Sequence, residues 1–474
     1  MGTSSVRAAV VLPDGSVTSL AQQALPPTLP APGLVEVDPV ALADAVVDVA
    51  RRAQSEGGPV EAVGVSAQRA TTIAWDARSG HPLGPGIGWQ DLRTAGTCLE
   101  LQGEGLRLSP AETATKAAWL LDTYDPGRDG DVRIGTVDSW VAWTLTGGEA
   151  HVTDPTNAAV TGMFDPDERA WRRSVTERLA IPERALATIV DSSGPIARAG
   201  ALAGSPPICA IVGDQQASLV GQGCTRPGLA KATFGTGAML DLCTGAARPG
   251  FAIRGPGGCF PIIAWSRDGL LSWGVEAMAL TAGSAVDWLV ADLGILAHAR
   301  ESEELAASCD TAGGVMVVPA FLGLATPAWD FGARATVVGL SRGSGRPELV
   351  RAVLEGIAHQ GADLLEAAET DAGVSVDALR IDGGMSANTV FVQALADRCR
   401  RPVEVSTEVE ATTRGAGYLA GLAVGTWADE EEIAAAWRPG SVVEPSGRDP
   451  ERDRWRLAVE GAKAWYPELT ALEF

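Results

Sequence analysis

The sequence predicts an α/β protein built from two related domains. Three observations carry the expectation. The chain has 474 residues, room for two or three domains at roughly 150 residues each. Short apolar runs alternate with longer stretches whose apolar residues recur at helical spacing. A strand, Gly-Thr, strand pattern occurs twice, around Gly2-Thr3 and around Gly235-Thr236. That repeat places a boundary near 220–230 and divides the chain into units 1–222 and 223–474.

The elements follow in order. Residues 6–12 form an apolar run, Asp14-Gly15 is a turn signal, and 16–20 return as a hairpin partner. Residues 25–32 are Pro-rich and read as a surface loop. Apolar spacing predicts a helix over 41–52. Residues 62–66 and 71–76 read as strands, and 113–121 and 137–145 as helices. Residues 207–212 form a strand ending at Gly213-Asp214. Residues 230–234 and 238–242 flank Gly235-Thr236-Gly237 as a hairpin. The most periodic helix is 347–369, with Leu349, Val350, Val353, Leu354, Ile357, Leu364 and Leu365. Residues 379–381 form a strand that passes through Asp382-Gly383-Gly384 into a helix near Asn388. The acidic run 429–432 reads as a solvated helix start, and 438–452 as a loop before a last helix.

Composition narrows the function. Lys and Arg number 37 against 59 Asp and Glu, a net charge of −22. A nucleic-acid binder needs a basic footprint, and an anionic membrane surface attracts one, so both are disfavoured. No stretch approaches 18 apolar residues, and the N-terminus has no signal-peptide pattern. The seven cysteines are odd in number and lack a CxxC, and the four histidines are scattered. A disulfide framework and a zinc site are not expected, and a reducing, cytoplasmic setting is.

Three glycine-containing loops abut strands: Gly2-Thr3-Ser4-Ser5, Gly235-Thr236-Gly237 and Asp382-Gly383-Gly384. Glycine lets backbone N–H groups approach a phosphate, and hydroxyls add donors. The same sequences also serve as plain turns. Walker A and GxGxxG signatures are absent. Asp214 follows a strand, where α/β ligand sites form, and is placed to take a proton from a substrate hydroxyl. Equally, Asp is a favoured N-cap. Asp382 has the same two readings. Arg69, at the end of strand 62–66, is a candidate hydroxyl ligand or a surface Arg. Trp89, in Trp89-Gln90-Asp91, is a candidate sugar-stacking residue or a core Trp.

Taken together these segments resemble the FGGY carbohydrate kinase family, and its glycerol kinase branch most. Ser66-Ala67-Gln68-Arg69-Ala70-Thr71-Thr72 with Trp75-Asp76 resembles N-Q-R-E-T-T…W-D. Trp89-Gln90-Asp91-Leu92-Arg93-Thr94 resembles W-Q-D-x-R-T. Gly213-Asp214-Gln215-Gln216-Ala217 resembles G-D-Q-Q-A, and Phe234-Gly235-Thr236-Gly237 resembles Y-G-T-G. Pro319-Ala320-Phe321 with Pro327-Ala328-Trp329-Asp330 is similar to P-A-F…P-x-W-D. Residues 335–355 fit the family's C-terminal signature, and Asp382-Gly383-Gly384 with Asn388 resembles D-G-G-x-x-x-N.

The resemblance implies an actin-like ATPase (ribonuclease H-like) fold, with two domains, each a sheet flanked by helices, around a central cleft. It implies ATP- and Mg²⁺-dependent phosphorylation of a hydroxyl of a small polyol or sugar. Asp214 would be the base and the metal-facing carboxylate, and Arg69, Trp89 and Gln215 would bind the acceptor beside it. Thr3, Ser4, Ser5, Arg7, Thr236, Gly283, Gly384 and Asn388 would contact the nucleotide. A homodimer or homotetramer fits the same resemblance.

Three departures qualify it. The family opens on a strand ending D-x-G-T, whereas this sequence starts Met1-Gly2-Thr3. The expectation from this is either impaired activity, down to a non-catalytic nucleotide-binding regulator, or a start further upstream. Ala70 replaces a Glu expected after Gln-Arg. In Pro110-Ala111-Glu112-Thr113, ahead of Lys116, Ala111 replaces a Tyr, and Met239 replaces an aromatic residue. Both alanines remove hydrogen-bonding partners from the acceptor pocket, and glycerol itself is not the expected preference.

Overall fold

A computed structural model describes residues 1–407 and 410–470. Helices and strands alternate as the periodicity requires. The helix expected over 41–52 spans Pro39–Gly57, because Asp38 caps it: its carboxylate accepts from the Val40 and Ala41 N–H groups at 2.9 and 3.1 Å. Pro39 at the first turn loses no hydrogen bond there. The helix expected over 347–369 spans Arg346–Ala372 and buries Val350, Val353, Leu354, Ile357, Leu364 and Leu365. Asp429 caps helix Glu430–Ala436, as the acidic run suggested. Among the described residues no helix is long and apolar enough to cross a membrane.

The sheet expected in each half is one continuous ten-stranded sheet. From one edge its strands are Pro439–Val443, Val403–Ser406, Leu379–Asp382, Ala230–Phe234, Ala238–Gly245, Leu270–Ala279, Phe260–Arg267, Ser193–Arg198, Pro207–Gly213 and Val63–Ala67. The two halves join where Ser193 pairs with Arg267. A separate four-stranded sheet contains Thr72–Asp76 and Val132–Thr136.

One of the two expected Gly-Thr hairpins forms. Gly235 N–H donates to the Gly237 carbonyl at 2.9 Å, and the flanking strands pair antiparallel. The other differs. Gly2 N–H donates to the Ser5 carbonyl at 3.0 Å, making a turn, but Ser5–Val11 leaves it to pair with Val17–Ala24. Met1 lies beside strand Val63–Ala67, its ammonium donating to the Ser66 carbonyl at 2.8 Å and its own carbonyl accepting from Gln68 N–H at 2.7 Å.

Apolar clusters fill both halves. One surrounds helix Arg346–Ala372 with Phe234, Leu240, Val275, Ile381 and Phe391. Another packs helices Pro39–Gly57 and Val137–Thr146 on Val65, Ile208 and Ile211. A third lies at the joint, where helix Asp214–Gly221 meets helix Ala411–Val424. A methyl group on Gly415 would sit 1.8 Å from the Ala217 carbonyl oxygen, and one on Gly221 would sit 1.8 Å from that of Ala411. Only glycine permits this approach.

Gly415→Ala must therefore separate two backbones. It is expected to destabilise by about 1–3 kcal/mol, the usual cost of overpacking. Differential scanning calorimetry should show a lowered Tm, whereas Gly103→Ala, in a helix and facing open space, does not lower it.

Candidate active site

The site begins with sheet register. Val63–Ala67 and Pro207–Gly213 run parallel, Ser66 opposite Val212 and Ala67 opposite Gly213. Their carboxyl ends therefore emerge side by side, the usual place for a ligand in an α/β sheet. Two residues past the first strand comes Arg69, and immediately past the second comes Asp214. Arg69 Nε lies 3.8 Å from Asp214 Oδ1. Arg69 is no surface residue: its side chain is 12% exposed, and Nη2 donates to Glu276 Oε2 at 2.8 Å. Among the described residues its buried Nη1 has no partner, a donor held ready for an acceptor atom.

Asp214 is the first residue of its helix, and Gly213 stands at the N-cap. The capping alternative is thereby excluded. Among the described residues its Oδ1 accepts only the Gln215 N–H, at 2.9 Å. Burial pushes the Asp214 carboxyl up from its ordinary value, and Arg69 opposes that rise. Gln215 directs its side-chain carbonyl to Lys231 Nζ, at 2.8 Å.

Trp89 is 39% exposed, so the core alternative fails for it as well. Its backbone N–H donates to Thr71 Oγ1 at 3.2 Å and its indole to Thr3 Oγ1 at 3.4 Å. Buried Asp91 fixes this loop by accepting from Val35 N–H at 2.6 Å and from Arg93 Nε at 2.8 Å. Behind it, buried Lys116 donates to the Gly88 carbonyl at 3.3 Å and the Ala111 carbonyl at 2.9 Å. Burial lowers this ammonium to about 7. Ala70 holds a left-handed φ of 61°, uncommon for a residue with a Cβ. Its carbonyl is held by the Thr72 and Thr113 hydroxyls at 3.1 and 3.3 Å.

The second wall assembles from three loops. The Thr236 carbonyl accepts from Ala282 N–H at 2.8 Å and Ser284 Oγ at 2.9 Å, and Gly283 N–H donates to the Gly235 carbonyl at 2.8 Å. A Cβ on Gly283 would meet that carbonyl oxygen at 2.6 Å. Gly383, at φ 89°, lies against the Phe234 backbone, while Gly384 faces open space. Thr236, Gly283 and Gly384 thus come together. Asn388 follows, but its side chain is used: it caps helix Thr389–Cys399 through Phe391 N–H at 3.0 Å and donates to Ser302 Oγ at 3.1 Å. Arg7 is paired with Glu410 at 2.9 Å, and Ser5 begins a strand. Asp382 accepts from Gln222 Nε2 at 2.6 Å through Oδ2, while its buried Oδ1 has no partner among the described residues.

A cavity of about 620 Å³ reaches Asp214 between strands Ser5–Val11 and Val63–Ala67. Val6, Val49, Val65 and Leu145 give its depth few partners for hydroxyl groups, so polar chemistry belongs at the Asp214 end.

Lys231, Asp241 and Glu276 escaped the sequence reading. The available signal was a lone charge inside each of three apolar strands. Such a charge must find a partner.

Comparison with known proteins agrees with this architecture. Residues 1–221 match the N-terminal domain model, and residues 230–424 the C-terminal domain model, of the FGGY family of carbohydrate kinases. The chain is 41% identical to a glycerol kinase of Dechloromonas aromatica, over 98% of this chain and 96% of that one. It is 40% identical to glycerol kinase 2 of Thermotoga maritima, over 98% of both. A Plasmodium falciparum glycerol kinase with ADP superposes with a TM-score of 0.89 at 26% identity, covering 100% of this chain and 97% of that one. A ligand-bound xylulose kinase from Lactobacillus acidophilus shares the fold, with a TM-score of 0.85 at 19% identity, covering 98% and 95%.

The position of Asp214 has a consequence for stability. Its folded value lies above the unfolded one, so the folded state holds the proton longer. Ionisation then costs stability as pH rises through the folded value. Asp214→Asn is expected to raise Tm at pH 7–8, with the gain shrinking as pH falls toward 4. Thermal melts across that range check it.

Proposed function

This chain belongs to the FGGY family of carbohydrate kinases, and we propose that Asp214 is the general base of its reaction. The protein is an ATP-dependent kinase that phosphorylates a hydroxyl of a small polyol or sugar. The observation that carries the assignment is the pairing of Asp214 with Arg69 at the ends of two adjacent parallel strands, with one buried Arg69 donor, Nη1, left without a partner among the described residues.

In this reading Arg69 Nη1 and Gln215 hold the acceptor and Trp89 covers it. Asp214 takes the proton from the hydroxyl that attacks the γ-phosphoryl group. Phosphoryl transfer needs positioning and charge neutralisation more than covalent help. Thr236, Gly283 and Gly384 supply the opposite wall for the nucleotide, with Thr3, Ser4, Ser5 and Arg7 on the near side and Asn388 shaping the loop beyond. Mg²⁺ prefers hard oxygen ligands, and the Asp214 carboxylate and the buried Oδ1 of Asp382, without a partner among the described residues, are each a donor of that kind. When bound it would neutralise phosphate charge.

The boundary at 222/223 is supported by the gap between the two matched stretches, 1–221 and 230–424. A reducing, cytoplasmic setting, read from the odd cysteine number and the lack of a CxxC, belongs to the same reading. A homodimer or homotetramer is part of the same reading.

The acceptor pocket differs from the one expected of glycerol kinases. Ala70 and Ala111 offer methyl groups where Glu and Tyr would hydrogen-bond, and Met239 stands for an aromatic ring. We propose that a polyol or sugar larger than glycerol is preferred.

Asp214→Asn should fold normally and lose about 10²–10⁴-fold in kcat, the usual worth of general base catalysis. Coupled ADP-release kinetics measure this, and a kcat within threefold of the parent rejects the role. In a panel of polyols and sugars assayed for ATP consumption, at least one larger acceptor should exceed glycerol in kcat/KM. Glycerol ranking first would refute the altered pocket.

A further inference from the structure

The strands on the nucleotide side carry a buried row of charge that the reaction does not consume. Lys231 sits directly opposite Asp241 across one antiparallel pair, and Asp241 directly opposite Glu276 across the next. Cross-strand neighbours share a face, so the three side chains form a line. Lys231 and Asp241 are 0% exposed and Glu276 is 5% exposed. Lys231 Nζ lies 2.7 Å from Asp241 Oδ2.

A self-contained ion pair would end there. This row instead reaches out at both ends, and both contacts land on the other half of the chain. Lys231 Nζ donates to Gln215 Oε1 at 2.8 Å, and Glu276 Oε2 accepts from Arg69 Nη2 at 2.8 Å. Arg69 therefore stands between two carboxylates. Glu276 holds it at hydrogen-bond distance, and Asp214 stays 3.8 Å away. If Glu276 were neutral, the guanidinium's strongest remaining partner would be Asp214. It would close on that carboxylate, hold it in the ionised form, and withdraw Nη1 from the acceptor.

We propose that Glu276 is a positioning residue that holds Arg69 off Asp214, and that the row Lys231–Asp241–Glu276 aligns the acceptor-binding side chains of one half from the other. The inference rests on the reading of Arg69 and Gln215 as acceptor-binding residues. The row thereby makes the acceptor site complete only when the two halves are in contact.

The titratable and charged groups facing Glu276 are Arg69 from the loop after Val63–Ala67, Asp241 from the neighbouring strand with Lys231 beyond it, and the Cys259 thiol immediately before the strand on the other side. Burial raises the Glu276 carboxyl above its ordinary value, Arg69 opposes that rise, and Asp241 adds to it.

The test is steady-state kinetics of the full chain carrying Glu276→Gln, with glycerol and the best panel acceptor as probes. The acceptor KM is expected to rise about 10–100-fold, the worth of one charge-assisted hydrogen bond, with the ATP KM within twofold. The acid-side limb of kcat/KM should also move toward lower pH by about one unit, because Arg69 now stabilises ionised Asp214. A merely structural role would not move that limb. Parent-like acceptor KM and pH profile in a folded Glu276→Gln overturn the proposal.

If Glu276→Gln fails to fold, two other variants decide. Glu276→Asp keeps the charge but shortens its reach. The paired Lys231→Met with Asp241→Leu removes both charges together, a replacement that buried pairs commonly tolerate. Each should raise the acceptor KM, and parent-like values in both overturn the proposal. Arg69→Ala separates the two levels. An unchanged acceptor KM there refutes the site reading itself, whereas a raised one with parent-like Glu276 variants refutes only the positioning row.

Discussion

At the centre of the molecule two helices meet backbone to backbone. Gly415 faces the Ala217 carbonyl and Gly221 faces the Ala411 carbonyl, at separations that exclude even a methyl group. Arg414 reinforces the contact by donating from Nε to the Gly221 carbonyl at 2.8 Å, satisfying an end of the Asp214 helix that has no internal partner. Thr412 Oγ1 reaches the Asp214 carbonyl at 3.5 Å. The position of Asp214 is therefore set by a helix nearly two hundred residues away in sequence. A bulkier interface would lift the Asp214 helix away from the ends of the strands that bring Arg69 to it.

The second dependence is electrostatic. Charges inside a sheet are costly unless paired, and even a paired one adds little net stability. Here Lys231, Asp241 and Glu276 are buried and Arg69 is nearly so, and their contacts lead to Gln215 and Asp214. An apolar row would pack at least as well, so the arrangement makes sense as orientation more than as stabilisation. The same logic explains Arg69 Nη1 and Asp382 Oδ1, which have no partner among the described residues. Polar atoms left unsatisfied at a cleft lower the stability of the empty protein and favour a ligand that completes them.

The acceptor wall combines rigidity with room. Asp91 and Lys116 are buried charged groups spent on loop backbone, one on Val35 and the other on Gly88 and Ala111. They hold the loops on either side of Trp89 without touching its exposed face. Ala70 keeps a left-handed backbone through two hydroxyl contacts to its carbonyl while presenting only a methyl group. Shape there is firmly held, and the hydrogen-bonding groups that would select a particular acceptor are few.

Much of this was legible before any coordinates. Local periodicity and turn chemistry marked the strands and helices that carry the site, and placed Asp214 and Arg69 at strand ends, because those signals depend only on neighbours a few residues apart. The readings left open at Asp214, Arg69 and Trp89 could not be closed that way. Whether Asp214 caps a helix, whether Arg69 is solvated and whether Trp89 is core depend on what lies across space. The partnership of Arg69 with Glu276 joins residues 207 apart, and the alignment of Lys231, Asp241 and Glu276 appears only once two antiparallel registers are set. Sequence by itself determined the elements, the family resemblance and the candidate residues. Tertiary structure alone decided which charges meet, because sheet register and a glycine-thin helix contact, not local spacing, set the distances between them.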